Sequence, residues 1–408
     1  MTQPNTNDAS APQADPYADD PFFKRKLDTD WNACIGKQGN EENYLDGYIE
    51  AAMELADAVI DKKLFAKRDT LVLPILYNAR HAIELALKFT EDRLVVAGVL
   101  PPTGGRNHNI RTHWDRLNAG AVVDEKLRQT IQTLKPFVDS LSRIDDDGQQ
   151  LRYHLNRYDD PSLPNHSLAN LEVIRESLAG LSEIISVLKY RTMSFLDERA
   201  SGSFTSRCSR RDLLAIAQLI PRRDFWTEPL FNQQKALVKS RYNLSNRQFS
   251  KALDVIQSNR EMKAIIGVES DLLHISDNEI VWVIEQWKRL HPARDKGDNL
   301  SADYFEAVRF ERMKEERATR IEVFDEMEWR LNAAKLAEME AIYYLGRDRL
   351  FPEYYEWRVD LANKERAAAN DPKAEIAHLM LKTNFSTCVR SAVAKIGRLS
   401  LVERLAKA

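Results

Sequence analysis

The sequence predicts an all-α protein, and three observations carry that expectation. Apolar residues recur at helical spacing over long stretches. Glycine and proline are scarce, at 14 and 15 among 408 residues, which argues against the many tight turns of an all-β fold. Strand-like alternation is absent, as is any internal repeat of fixed period. The expected organisation is an acidic disordered tail over residues 1–40, a helical bundle over 41–200, a basic helical region over 204–292 and long helices over 300–408.

Composition narrows the function classes. Hydrophobic residues make up 43% of the chain, enough to build cores, and charged residues 30%, a share that suits long solvated helices. The length fits two or three domains of ordinary size. The net charge of −3 hides a local asymmetry. Residues 1–60 carry twelve acids and four bases, whereas residues 204–263 carry five acids and twelve bases. Cys34, Cys208 and Cys388 lie far apart and match no metal or redox spacing, so free thiols in a reducing cytosol are expected. No apolar run approaches the ~20 residues of a membrane-crossing helix. The polar N-terminus lacks a signal segment. The expectation is a soluble cytoplasmic protein with no cofactor, no metal and no membrane association.

The elements follow in order. Leu45, Tyr48, Ile49, Ala52, Met53, Ala56, Val59 and Ile60 recur at helical spacing from about Glu41. A second helix spans about Asp69 to Ala97, with Asp69 or Thr70 placed to cap it and Pro74 in or just after its first turn. "GVLPPTGGRNHNIRTH" reads as a loop. A helix from about Val122 to Ile144 carries Leu127, Ile131, Leu134, Val138 and Leu141 on one side. Asp145-Asp146-Asp147-Gly148 then ends it as an acidic turn; the run resembles part of a calcium loop but lacks the later Glu. Ser167 can cap a long helix whose Leu171, Ile174, Leu178, Leu181, Ile185 and Leu188 form a packing seam. "DERASGSFTS" over 197–206 reads as a linker, and "PARDKGDN" as a second break. A long charged helix is expected from Ser301 to about Arg347. Ile321, Phe324 and Leu331 follow one seam, and Trp329, Leu336 and Tyr343 recur every seven residues. Such a helix packs on its own domain, forms an antiparallel arm or forms the coiled coil of a homodimer.

One helix carries an unusual stripe. "LPILYNARHAIELALKF", Leu73 to Phe89, is largely apolar, yet Arg80, His81, Glu84 and Lys88 stand inside it. On a wheel of about 100° per residue with Arg80 at zero, Glu84 falls near 40°, Tyr77 near 60°, Lys88 near 80° and His81 near 100°. The ionisable groups therefore share one face about 100° wide. Two readings stay open. In one, Arg80, Glu84 and Lys88 form a solvated ladder of four-apart pairs. In the other, Arg80 and His81 face a polar cleft with His108, His113, Arg152 and His154 from the following loops.

A second candidate site is basic. Arg207, Arg210, Arg211, Arg222, Arg223, Lys239, Arg241, Arg247 and Lys251 are interleaved with aromatic residues, Trp226 among them. "LFNQQKALVKSRYNLSNRQFSKALDVIQ" reads as helix, short turn, helix, with Ser245 capping the second. That is the layout of a helix-turn-helix. Cations can meet phosphates and rings can stack on bases, so RNA or DNA is the implied partner. Two ordinary packed helices with solvated charges give the same pattern.

The segments "YIEAAMELADAVI", "RDTLVLPILYNARHAIELALKF", "HNIRTHW" and "LRYHLNRYDD" resemble a group of bacterial helical proteins. These share an Arg-His-x-x-Glu-Leu helix, a His…Trp helix and an Arg-Tyr turn. They are similar in layout to HEPN domains, helical bundles common in toxins and phage-defence systems. The resemblance covers about Asn43 to Leu196, under half of the chain. It implies an RNA-directed effector or accessory protein of stress or antiviral defence, with a partner protein from the same operon. It also implies a metal-independent ribonuclease. HEPN ribonucleases use Arg-x4–6-His, with the Arg on the phosphate and the His on the 2′-hydroxyl or leaving oxygen; Arg106-x6-His113 fits that spacing. Together with the polar-cleft reading, the candidate catalytic set is Arg80, His81, Arg106, His108, His113 and Arg152. The alternative is a non-catalytic nucleic-acid-binding or scaffold protein that dimerises through its helices.

Overall fold

Asn40 starts the first helix. Its side chain accepts the Asn43 N–H while the Asn43 side chain accepts the Asn40 N–H, a reciprocal cap. From there α1 (Glu41–Asp61) buries Leu45, Ile49, Ala52, Ala56 and Val59 of the expected stripe and leaves Tyr48, Met53 and Ile60 half-buried. The computed structural model describes residues 17–26, 29–102, 105, 107–120, 122–156, 158–292, 302–367 and 371–407, with backbone alone over 302–309 and at 367. Of the expected disordered tail, residues 1–16, 27 and 28 lie outside the described residues, and the rest is largely exposed turns and one 3₁₀ segment, Gly36–Gln38.

In α2 (Arg68–Val96) Asp69 stands in the first turn without capping, and Pro74 lies inside the helix. Asn109 caps α3 (Ile110–Ala119), and Asp124 caps α4 (Glu125–Thr133). The single helix expected over 122–144 is two. Pro136, which lacks an N–H, opens α5 (Lys135–Ile144), and Leu134 both ends α4 and precedes α5. Asn170, not Ser167, caps α6 (Leu171–Ala200). Helices α1, α2 and α6 pack on one another, and α3 to α5 close one side. Their shared core runs from Leu45 to Phe195. Trp114 seats α3 by donating its indole N–H to the Ile131 carbonyl (2.8 Å).

Residues 197–206 are not a free linker. Helix α6 continues to Ala200, Ser203 is buried, and the Asn259 amide donates to the Ser203 hydroxyl (3.0 Å). A second core follows in α7 (Arg210–Leu219), α8 (Pro229–Arg241), α9 (Asn246–Ser258) and α10 (Arg260–Ile265), built on Leu213, Ile216, Val238, Phe249 and Ile256. Each pair among α7, α8 and α9 is in contact, so the expected helix-turn-helix sits in a three-helix unit. Ser245 caps α9 reciprocally with Gln248, as expected, and Asn243 makes the turn at φ +50°.

The third core contains α11 (Asp277–Leu290), α12 (Ala302–Arg330), α13 (Ala333–Arg347), α14 (Tyr355–Ala367), α15 (Pro372–Met380), α16 (Phe385–Lys395) and α17 (Leu399–Lys407). Ile280, Val283 and Ile284 place α11 here rather than in the basic region. The break "PARDKGDN" falls on residues 292–299, of which 293–299 lie outside the described residues. The long helix expected from Ser301 to Arg347 ends at Arg330, and Asn332 caps α13. This corrects the dimer seam. Trp329 is 88% exposed on α12, whereas Leu331, Leu336 and Tyr343 are buried in the protein's own core.

Among the described residues the only extended pairing is the isolated bridge Leu155–Pro161, no helix is long and apolar enough to cross a membrane, and no group of His, Cys, Asp and Glu could hold a metal ion. The three cysteines are free thiols.

Buried ions join the three cores. Asp124 accepts Nε (3.0 Å) and Nη2 (2.6 Å) of Arg191 and the Ser209 hydroxyl (2.6 Å). Asp212, the third residue of α7, accepts the Glu125 N–H (3.1 Å). Burial and the neighbouring Asp124 charge push the Asp212 carboxyl up to about 6. On the other side, Arg210 pairs with Glu353 (2.7 Å) and Glu261 (2.6 Å).

Inside the third core, Gly346 lets α13 approach α16 closely: a Cβ there would collide with the Cys388 backbone carbonyl. Gly346→Ala is therefore expected to lower stability by about 2–3 kcal/mol, measured by urea denaturation. A variant as stable as the parent would show that the two helices can separate without loss.

Candidate functional site

The stripe of α2 is not a solvated ladder. Arg80 is 1% exposed and Glu84 2%. A buried guanidinium must find acceptors for its N–H groups. Arg80 Nε donates to the Asp145 carbonyl (2.8 Å), Nη1 to Glu84 Oε2 (2.8 Å), and Nη2 to the carbonyls of Asp146 (2.9 Å) and His108. The acidic turn is shaped for this. Asp145 accepts the N–H groups of Gln149, Gln150 and Leu151 on its own carboxylate, which turns its carbonyl toward α2. Gly148 sits at φ +80°, and a Cβ there would stand 3.1 Å from Arg80 Nη1. The loop before α3 is fixed by Asn109, which caps that helix and donates to Asp146 Oδ2 (3.3 Å).

Glu84 is the centre of the cluster. Its Oε1 accepts Lys88 Nζ (2.6 Å) and faces His108 Nδ1 (2.8 Å), while His81 Nδ1 stands 3.8 Å from Oε2. Burial alone would raise the carboxyl, but His81, Lys88, Arg80 and His108 outweigh it and hold Glu84 well below the usual carboxylate range. A carboxylate only accepts, so His108 carries its proton on Nδ1 and turns Nε2 outward. His81 is fixed by rings: it stacks on Tyr77 (5.8 Å, 7°) and meets the edge of Tyr48 (4.3 Å, 83°). The Arg152 guanidinium lies over the Tyr77 ring (5.5 Å). The structure thus brings Arg80, His81, His108 and Arg152 together around Glu84 and Tyr77.

Two expected members do different work. Four of the five N–H groups of Arg80 are used within the chain, so it holds the loops and offers no fork to a phosphate. His113 is 6% exposed, with Nδ1 on Glu91 (2.8 Å) and Nε2 on the Asn107 carbonyl (3.1 Å). Burial opposes its charge, but Glu91 and Asn107 prevail and raise its pKa. It is a buried structural histidine, not the free histidine of an Arg-x6-His site; Arg106 lies outside the described residues. What remains open to solvent is His108, 70% exposed, with parts of His81 and Lys88 and the exposed Arg152. Two imidazoles beside one buried carboxylate, His108 bonded to it and His81 held by rings, can exchange protons with a bound group, and the two cations can hold an anion. Glu84, Lys88 and Asp145 were visible as residues but not as a centre. Only the four-apart spacing of Arg80, Glu84 and Lys88 signals them.

The basic residues divide in two. Arg210 is buried and bonded to Glu353 and Glu261, and Arg241 is bonded to Glu125 of α4 (2.9 Å), so both join cores rather than meet nucleic acid. Trp226 is also committed. Its N–H donates to the Pro221 carbonyl (2.9 Å), Phe231 stacks on its ring (5.1 Å, 18°) and Arg223 lies over it (4.4 Å). The ring is part of the core, not a stacking platform. Arg207, Arg211, Arg222, Arg223, Arg247 and Lys251 are exposed and Lys239 half-buried; none pairs with a carboxylate among the described residues. Arg223 Nε donates to Gln257 of α9 (3.1 Å), which sets a cation at the far end of that helix.

No family model, curated protein or solved structure matches the chain.

Arg80→Ala is expected to cost about 3–5 kcal/mol, because it leaves Glu84 and two loops without their partner. His81→Ala, at a partly exposed ring, should stay within about 1 kcal/mol. Urea denaturation of both variants measures the difference. Equal and small losses would mean that Arg80 does not hold the loops.

Proposed function

We propose that the chain binds nucleic acid through α9 of its middle module. The observation that carries this reading is a row of cations, Arg247, Lys251 and Arg223, along the open side of α9 with no carboxylate paired to them among the described residues. Arg247 also stands in the first turn of α9, where the helix dipole disfavours a cation and no acid offsets it. A fold that places uncompensated charge against its own dipole leaves that charge for a polyanion.

Binding of this kind weakens steeply with salt, since each neutralised phosphate releases counterion. Titrating labelled duplex and single strands between ~50 and ~200 mM salt should give a linear fall of log affinity with log salt. Arg247→Ala with Lys251→Ala should lower the slope by about two while leaving folding intact, since neither residue is buried. No binding at ~50 mM salt, or an unchanged slope, would remove the proposal.

A second reading belongs to the bundle, and the two imidazoles on Glu84 favour it. There His81 and His108 serve as acid and base at an RNA phosphodiester, with Lys88 and Arg152 on its charge, in an RNA-directed effector of the kind the resemblance implies. The expected result is cleavage of labelled RNA that survives a chelator and is lost in His108→Ala. Intact RNA after incubation with the unaltered protein would exclude it.

A further inference from the structure

Resting on the nucleic-acid reading of α9, we infer that this helix reads base edges of double-stranded DNA, with Asn246, Arg247 and Asp254 as its specificity-determining residues. The argument begins from the wheel. With Asn246 at zero, Ser250 falls near 40°, Asp254 near 80°, Arg247 near 100° and Lys251 near 140°. Phe249, Ala252 and Ile256, all buried, fall between about 240° and 300°. The five polar residues are exposed, so the helix presents one polar face directly away from its core.

The composition of that face matters more than its charge. A surface that only neutralised phosphates would carry lysine and arginine throughout. Asp254 at its centre would repel a phosphate, and Asn246 adds no charge. Both are explained by base edges: Asn pairs with adenine, Arg with guanine, and Asp accepts from the cytosine amino group. The length fits as well. Eight steps from Asn246 to Asp254 rise about 12 Å, the span of three to four base pairs. The cations at the margins, Lys251 and Arg223, stand where a helix seated in a groove meets the flanking strands.

The same observations choose among nucleic acids. A major groove about 12 Å wide admits a helix, whereas that of A-form RNA is deep and narrow. Single strands need successive free rings, and here Trp226 is engaged, Tyr242 and Phe249 are buried, and Phe225, 44% exposed, has no free ring of these beside it to continue a stack.

Selection from a pool of randomised duplex DNA with the full chain tests the inference. The parent protein is expected to enrich a motif with three to four fixed base pairs per copy. Asn246→Ala, Arg247→Ala and Asp254→Ala should each relax one position, by roughly 5- to 150-fold in preference. Circular dichroism of each variant checks that it is folded. Salt-dependent duplex binding without any enriched motif would overturn the inference and leave the binding reading standing. So would Asp254→Ala that tightens binding to all DNA without altering the motif, or tighter binding to single strands or duplex RNA in competition. Failure to bind any nucleic acid would overturn both.

Discussion

Arg80 sets the terms for the bundle. A guanidinium that is 1% exposed must be met by acceptors from its surroundings, and α2 itself supplies only Glu84. The other acceptors are carbonyls of two loops, at His108 and at Asp145 and Asp146. Those loops therefore have to close over the helix, and their details follow: Asp145 winds its own turn, Gly148 makes room, and Asn109 ties one loop to the other. Closure then carries the His108 ring to Glu84. A demand for acceptors thus places the residues with chemical potential.

The same rule governs the joints between cores. Arg191 and Arg210 each lie 5–7% exposed and each is answered by two carboxylates, Asp124 and Glu198 of its own helix for Arg191, Glu353 and Glu261 from other elements for Arg210. The basic segment is therefore not one patch. Arginines that meet carboxylates hold the molecule together. Those that meet none, on α9 and beside it, face solvent.

Much of the fold was legible. Apolar spacing located α1, α2 and α6, and the Ser245 cap located α9, because these signals are local. Boundaries set by caps without a strong pattern were not: Pro136 divides one expected helix and Asn332 another. The heptad of Trp329, Leu336 and Tyr343 misled because regular spacing carries no information about a break between its members. At the site, sequence showed that Arg80, His81, Glu84 and Lys88 share a face. It could not show which would be buried, since that depends on loops some 25 and 65 residues downstream. His113 was misread for the same reason: its partner Glu91 belongs to a different helix.

The ionic joints bear on what counts as a unit of this protein. The middle module excised as residues 204–267 would carry Arg210, Arg241 and Arg260 without Glu353, Glu125 and Glu356, and would open Asp212 to water. Its charge would be more positive than the same residues show in the whole chain. The electrostatics of the middle module therefore belong to the intact molecule, in which carboxylates of the flanking cores have already paired with Arg210, Arg241 and Arg260.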